Sequence, residues 1–198
     1  VVRFYSPMET IGGGVVLEPN PKIKRRFRED VIEELKRKES GSVTDIIEMH
    51  VKEHGDTLIT ISELAKLTAL SVEEIQEAAE ELKQEGSVLE FALRKDTYLW
   101  HSDESRGTLR KVLQVLRQYE ADYPYRYGMK KAEVQMTFFK KTKPAVFDKI
   151  VDYYISQGEI KRVDEFLCTP EYEVRKDDVY EKVSSGFLKA WKQAGFDF

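Results

Sequence analysis

The stretch that decides the fold is Ser71-Val-Glu-Glu-Ile-Gln-Glu-Ala-Ala-Glu-Glu-Leu-Lys-Gln-Glu-Gly86-Ser-Val-Leu-Glu-Phe-Ala-Leu-Arg-Lys-Asp-Thr-Tyr-Leu-Trp100. Ser71 with Glu74 forms a capping box, in which each side chain satisfies the other residue's backbone N–H. Ile75, Ala78, Ala79 and Leu82 then recur at helical spacing, and Gly86 stops the run. Beyond Gly86 the period switches to two. Val88-Leu89-Glu90-Phe91, a Lys95-Asp96 turn and Tyr98-Leu99-Trp100 predict a β-hairpin.

Upstream, Thr60 with Glu63 is a second capping box, opening a short helix over about Ser62 to Leu67. Before it, Val43, Ile46, Ile47, His50 and Val51 make one helical stripe ending at Gly55, and Phe27 to Lys38 is helix-forming. Helix, short helix, turn, longer helix, hairpin is the order of a winged helix, a variant of the helix-turn-helix. The order then repeats. Leu109, Val112, Leu113, Leu116 and Tyr119 mark a first helix, and Lys130 to about Thr137 a short second one. Pro144 opens a third helix with Phe147, Ile150, Val151 and Tyr154 on its buried stripe. Gly158, 72 residues after Gly86, closes that helix. A hairpin from Ile160 to Val163, returning through Tyr172 to Val174, completes the second unit.

The expected fold class is mainly α with small β-hairpins (α+β), as tandem winged-helix domains. Residues 1–21, punctuated by Gly12-Gly13-Gly14, Pro19 and Pro21, read as two short strands with a break between them, and since so short a piece is no domain alone they read as the end of a domain already folded. Residues 22–103 are winged helix 1 and residues 104–176 winged helix 2. Residues 177–198, opened by Asp177-Asp178 and closed by Gly195, are the first helix of a truncated third. Both ends read as cut. The joint Ser102-Asp103-Glu104-Ser105 is short and polar, and the sequence leaves open whether it is rigid or a hinge.

At 41% hydrophobic and 34% charged residues, the composition is that of a folded soluble chain, and since nothing reads as a secretory signal a cytoplasmic address is the default expectation. No stretch approaches the roughly 18 apolar residues of a membrane span. Cys168 is the only cysteine, so no disulfide forms within the chain, and a lone cysteine argues against a Cys-based zinc site. The net charge of −4 is unevenly spread. Residues 22–103 hold 13 Lys/Arg against 19 Asp/Glu, whereas residues 104–176 hold 15 against 11.

The triple glycine lacks the Walker Lys-Ser/Thr and is followed by prolines where a phosphate-binding helix would start, so it reads as a strand bend. His50 and His54 lie four apart on one helix, but His50 belongs to the apolar stripe and no third ligand is near in sequence. Cys168 reads as a buried thiol. The sequence therefore predicts no catalytic residue, no metal and no cofactor in this chain.

Nucleic-acid binding separates the two units. In the first, the helix over 71–86 carries Glu73, Glu74, Glu77, Glu80, Glu81 and Glu85 against Lys83 alone, which repels a phosphate backbone. In the second, Lys130, Lys131, Lys140, Lys141 and Lys143 flank the short helix and the turn that follows it. Arg126 stands between Tyr125 and Tyr127, and Lys161-Arg162 open the wing. Basic residues interleaved with aromatics suit RNA or DNA, and these eight cations are the candidate RNA-binding set. A solvated lysine face is the plainer alternative. The third helix, with Asp148, Lys149 and Asp152, offers no base-reading set.

Residues 3–26, Arg3-Phe-Tyr-Ser-Pro-Met-Glu-Thr-Ile-Gly-Gly-Gly-Val-Val-Leu-Glu-Pro-Asn-Pro-Lys-Ile-Lys-Arg-Arg26, resemble the end of the β-barrel domain III of bacterial SelB-type selenocysteine-specific translation elongation factors. In that family the last barrel strand leads into tandem winged helices. Lys189-Ala-Trp-Lys-Gln-Ala-Gly-Phe196 is similar to the first helix of its third winged helix. The resemblance implies the arm of a factor whose other domains bind GTP, with Mg²⁺, and selenocysteyl-tRNA. The tip of that arm grips an mRNA hairpin at an in-frame UGA on the ribosome. GTP and Mg²⁺ are then expected only in the N-terminal domains outside this chain, with no membrane partner and a monomeric segment. A winged-helix DNA-binding transcription regulator and a protein-interaction scaffold are the alternatives.

Overall fold

The computed structural model describes residues 2–3, 10–13, 28–29, 32 and 41–195. The chain divides into two units, residues 1–105 and 106–198.

In unit 1, Val2–Arg3 (β1) and Thr10–Gly12 (β2) pair antiparallel, Val2 against Gly12 and Arg3 against Thr10. A strand over Val15 to Leu17 lies outside the described residues. So does most of the helix expected over Phe27 to Lys38, within which the Ile32 amide donates to the Arg28 carbonyl at 3.1 Å. Three helices follow, each opened by a complete capping box. Val43–Glu53 (α1) starts at Ser42 with Asp45, Ile61–Thr68 (α2) at Thr60 with Glu63, and Val72–Gln84 (α3) at Ser71 with Glu74. Ala69, in the left-handed region at φ 59°, turns the chain from α2 into α3. Their inward stripes meet in one cluster that includes Ile47, Val51, Leu64, Ile75 and Leu82. Burying each such side chain contributes roughly 1.5–3 kcal/mol. His50 is buried on that stripe, as its position predicts.

Val88–Ala92 (β4) and Thr97–His101 (β5) form the expected hairpin, with Leu89 opposite Trp100. A two-residue strand, Ile59–Thr60 (β3), adds to the far side of β5 and makes the sheet order β3-β5-β4. Trp100 is fully buried, and its indole N–H donates to the Gly55 carbonyl at 3.1 Å.

The residues of the polar joint form the first turn of a long helix, Ser102–Asp122 (α4). Their polarity is consumed locally. The Ser102 hydroxyl donates to the Gly86 carbonyl at 2.6 Å, its amide donates to the Ser87 carbonyl at 2.9 Å, and Ser105 is buried.

Unit 2 repeats the plan. Met129–Lys130 (β6) leads into Lys131–Phe138 (α5), and Pro144–Ser156 (α6) packs Val146, Phe147, Ile150, Val151 and Tyr154 inward. Phe139 meets Phe147 with ring centroids 5.1 Å apart. Lys161–Val163 (β7) and Phe166–Cys168 (β8) form the wing, in a sheet of order β6-β8-β7. The return strand is thus earlier than the expected Tyr172 to Val174. Asp164, at φ 52°, reverses the chain at once, so that Val163 pairs with Phe166. Asp178–Gln193 (α7) opens on Asp177, whose side chain accepts from the Tyr180 amide. The fold is the mainly-α, small-sheet α+β class that the sequence predicts.

Candidate nucleic-acid interface

The acidic character of α3 survives folding. Glu73, Glu74, Glu77, Glu80, Glu81 and Glu85 are all exposed. Lys83 is held between Glu90 at 2.9 Å and Glu80 at 3.3 Å, bonds that raise its pKa, Glu90 contributing most. The helix therefore presents an almost uniformly negative face, which a polyanion avoids.

The candidate cations of unit 2 fall into three groups. The first surrounds the start of α5 and the turn into α6. Lys130 is the N-cap of α5 and lies 3.9 Å from Glu165, while Lys131 forms an ion pair with Asp148 on α6. These two lysines tie elements together as well as adding charge. Lys140 and Lys141, in the turn between the helices, are exposed, and no carboxylate among the described residues is within ion-pair distance of either. Lys143 is the exposed N-cap of α6.

The second group is the wing. Lys161 and Arg162 are exposed on β7, and the Arg162 Nε–H donates to the Asp164 carbonyl at 2.9 Å. Because β8 runs between β6 and β7, Lys130 stands on one edge strand and Lys161 and Arg162 on the other. Two strand spacings put these edges roughly 10 Å apart.

The third group is Arg126. Its guanidinium donates to the Tyr119 hydroxyl at 2.7 Å and lies 4.4 Å from the centroid of the Tyr123 ring. The bond to Tyr119 raises its pKa further. The loop that carries it is pinned from three sides. The Tyr172 hydroxyl reaches the Arg126 carbonyl at 2.9 Å, the Tyr125 hydroxyl donates to Asp177 at 3.0 Å, and the Arg175 amide donates to the Pro124 carbonyl at 2.9 Å. Gly128 lets the loop enter the sheet: at φ +141°, a Cβ there would lie 2.4 Å from the Leu167 carbonyl oxygen. Tyr123, Tyr125 and Tyr127 stay exposed around it.

The outer face of α6 carries Ala145, Asp148, Lys149 and Asp152, all exposed. Asp148 is neutralised by Lys131, and no bidentate base reader is present. The arrangement suits contact with a phosphate backbone at the α5–α6 turn and the wing, with stacking available near Arg126. Two exposed arginines on α4, Arg110 and Arg117, lie outside the eight candidates, although their helical spacing is readable in the sequence.

No helix among the described residues is long and apolar enough to cross a membrane. Cys168 is buried, and burial, with the Glu120 charge adding to it, raises the pKa of its thiol.

Residues 113–167 match the family described as "Elongation factor SelB, winged helix". The match falls entirely within unit 2. The chain is also similar to a selenocysteine-specific elongation factor of Desulfomicrobium baculatum, 22% identical over 174 residues. That alignment covers 88% of this chain and 27% of the relative, so the chain spans about a quarter of the curated protein it matches. Among solved structures, the mRNA-binding domain of elongation factor SelB from E. coli, in complex with SECIS RNA, is similar at a TM-score of 0.47 and 15% identity. It covers 65% of this chain and 98% of that one. The family match and the relative bear out the resemblance read from the sequence.

Proposed function

We propose that this chain, whose second unit carries a SelB-type winged helix, is the winged-helix arm of a selenocysteine-specific elongation factor. The arm links the GTPase and tRNA-binding core to the tip that holds an mRNA hairpin during UGA recoding. In this reading unit 1 is the spacer and unit 2 an auxiliary RNA contact, while GTP and Mg²⁺ act in other domains of the whole factor. The single observation that carries the proposal is the family match over residues 113–167. The opposite charges of the two units support the division of labour. The acidic face of α3 repels phosphate, and the α5–α6 turn and wing of unit 2 offer Lys140, Lys141, Lys143, Lys161 and Arg162 to it.

The test is a binding titration of the chain against a structured RNA hairpin and a matched DNA duplex at two salt concentrations. Salt-sensitive RNA binding that falls on charge reversal of Lys140, Lys141 and Lys143 is the expected result. A preference for duplex DNA overturns the elongation-factor reading in favour of a transcription regulator. Binding to neither leaves unit 2 as part of the spacer.

A further inference from the structure

Helix α4 turns Val112, Leu116 and Glu120 inward. Its opposite face carries Arg106, Arg110, Leu113, Gln114, Arg117 and Gln118, the three- and four-residue spacing of a single stripe. Arg110 and Arg117 are exposed, and together with Leu113, Gln114 and Gln118 they line one shallow, open depression.

A helix face that merely meets solvent usually interleaves opposite charges three or four residues apart. This one does not. Around Arg110 those positions are Arg106, Gly107, Leu113 and Gln114; around Arg117 they are Leu113, Gln114, Glu120 and Ala121. Glu120 is the one carboxylate in both sets, and it is buried and bonded to Thr169 instead. Among the described residues no carboxylate lies within ion-pair distance of Arg110 or Arg117. Arg110 and Arg117 thus present like charge on one face, which suits a polyanion.

We infer that the Arg110–Arg117 stripe of α4 is a second nucleic-acid contact of unit 2, one that takes the phosphate backbone of an RNA double helix. The inference rests on the RNA-associated role proposed above. Arginine forks match phosphate oxygens bidentately, and Gln114 adds an amide donor between them. The helix fixes the two guanidinium attachment points roughly 10 Å apart along its axis, a rigid spacing that suits a regular backbone. The stripe has no aromatic residue, whereas surfaces for unpaired strands interleave aromatics on which bases stack. A duplex is therefore the occupant.

The experiment is an anisotropy titration of the whole chain with a labelled RNA hairpin and with an unpaired RNA of equal length, each at two salt concentrations. The variants are R110E/R117E, R110K/R117K and, for the α5–α6 turn, K140E/K141E, with helicity checked by circular dichroism. Stripe reversal is expected to lower hairpin affinity about tenfold and to reduce the salt slope by about two. The lysine pair should keep the slope and lose part of the affinity. If reversal lowers helicity, R110Q/R117Q, which keeps good helix formers, is read instead. Hairpin affinity unchanged by stripe reversal while K140E/K141E binds weakly overturns the stripe and leaves the proposed function standing. Equal loss for the unpaired RNA overturns the duplex assignment. An unaltered chain that binds no RNA removes the stripe and the auxiliary RNA contact of unit 2 together, and leaves the arm as a spacer.

Discussion

Glu120, buried near the end of α4, holds Thr169 at the end of the wing by two bonds: the Thr169 amide donates at 2.6 Å and its hydroxyl at 2.8 Å. The carboxylate thereby closes unit 2 across 49 residues of sequence. Replacing it with alanine strands two buried donors, so E120A should destabilise unit 2 by about 2–3 kcal/mol. E120Q, which keeps one acceptor, should cost less. Urea unfolding followed by a probe in unit 2 decides this; equal stability of E120A and the parent would remove the closing role.

Cys168 supplies such a probe. As the sole cysteine, buried with a raised pKa, it should react with a thiol reagent only when unit 2 opens. Labelling in native buffer should be slow and should accelerate with urea along the unfolding curve, and faster still in E120A. Rapid stoichiometric labelling of the native chain would contradict the buried placement.

Two glycines should respond in opposite directions. Gly128→Ala sets a Cβ against the Leu167 carbonyl at a positive φ and should destabilise unit 2 by at least about 2 kcal/mol. Gly107 lies inside α4 with open space where a Cβ would go, so Gly107→Ala should stabilise by about 0.5–1 kcal/mol. Thermal melts of the two variants check both signs at once.

Accepting the Tyr180 amide bond, with further help from the Tyr125 hydroxyl and Arg175, holds the Asp177 carboxyl below the ordinary range. Glu74 is lowered likewise by its bonds to Ser71. For a lowered carboxylate the stabilising contribution is complete above the unfolded value of about 4 and is lost as pH falls through the lower folded value. The first turns of α7 and α3 should therefore fray in acid, read from the Tyr180 and Glu74 amide signals by NMR. In D177A the Tyr180 signal should lose that titration.

What could be read from the sequence depended on whether the cause was local. Thr60 with Glu63 and Ser71 with Glu74 announce their helices because a capping box lies wholly within four residues. Ile59–Thr60 and Met129–Lys130 are strands only because β5 and β8 lie beside them, and no two-residue pattern carries that information. The wing's return strand was misplaced because Asp164, a residue type that tolerates the left-handed region, turns the chain sooner than a glycine signal suggests. The sequence leaves the joint at Ser102 and Ser105 open, because polarity in sequence does not disclose the carbonyl partner at Gly86. The same limit applies to the basic set. Charge is visible in the letters, but the diversion of Lys131 to Asp148 and of Arg126 to Tyr119 is not.

The helix starts of the two units differ in one further respect. Helices α1, α2 and α3 begin on a side chain that accepts a backbone N–H, as α7 does on Asp177, whereas α5 and α6 begin on Lys130 and Lys143, which make no such bond. A lysine at that place also sets positive charge against the positive end of the helix dipole. Unit 1 can therefore nucleate its helices from neighbouring residues alone, while α5 and α6 wait for Phe139, Phe147 and the wing to assemble around them. Hydrogen exchange should rank the units accordingly, with the first turns of α5 and α6 opening before those of α2 and α3. An anion gathered by those lysines would reverse the ranking, so that in unit 2 the order of the helix starts depends on what is bound.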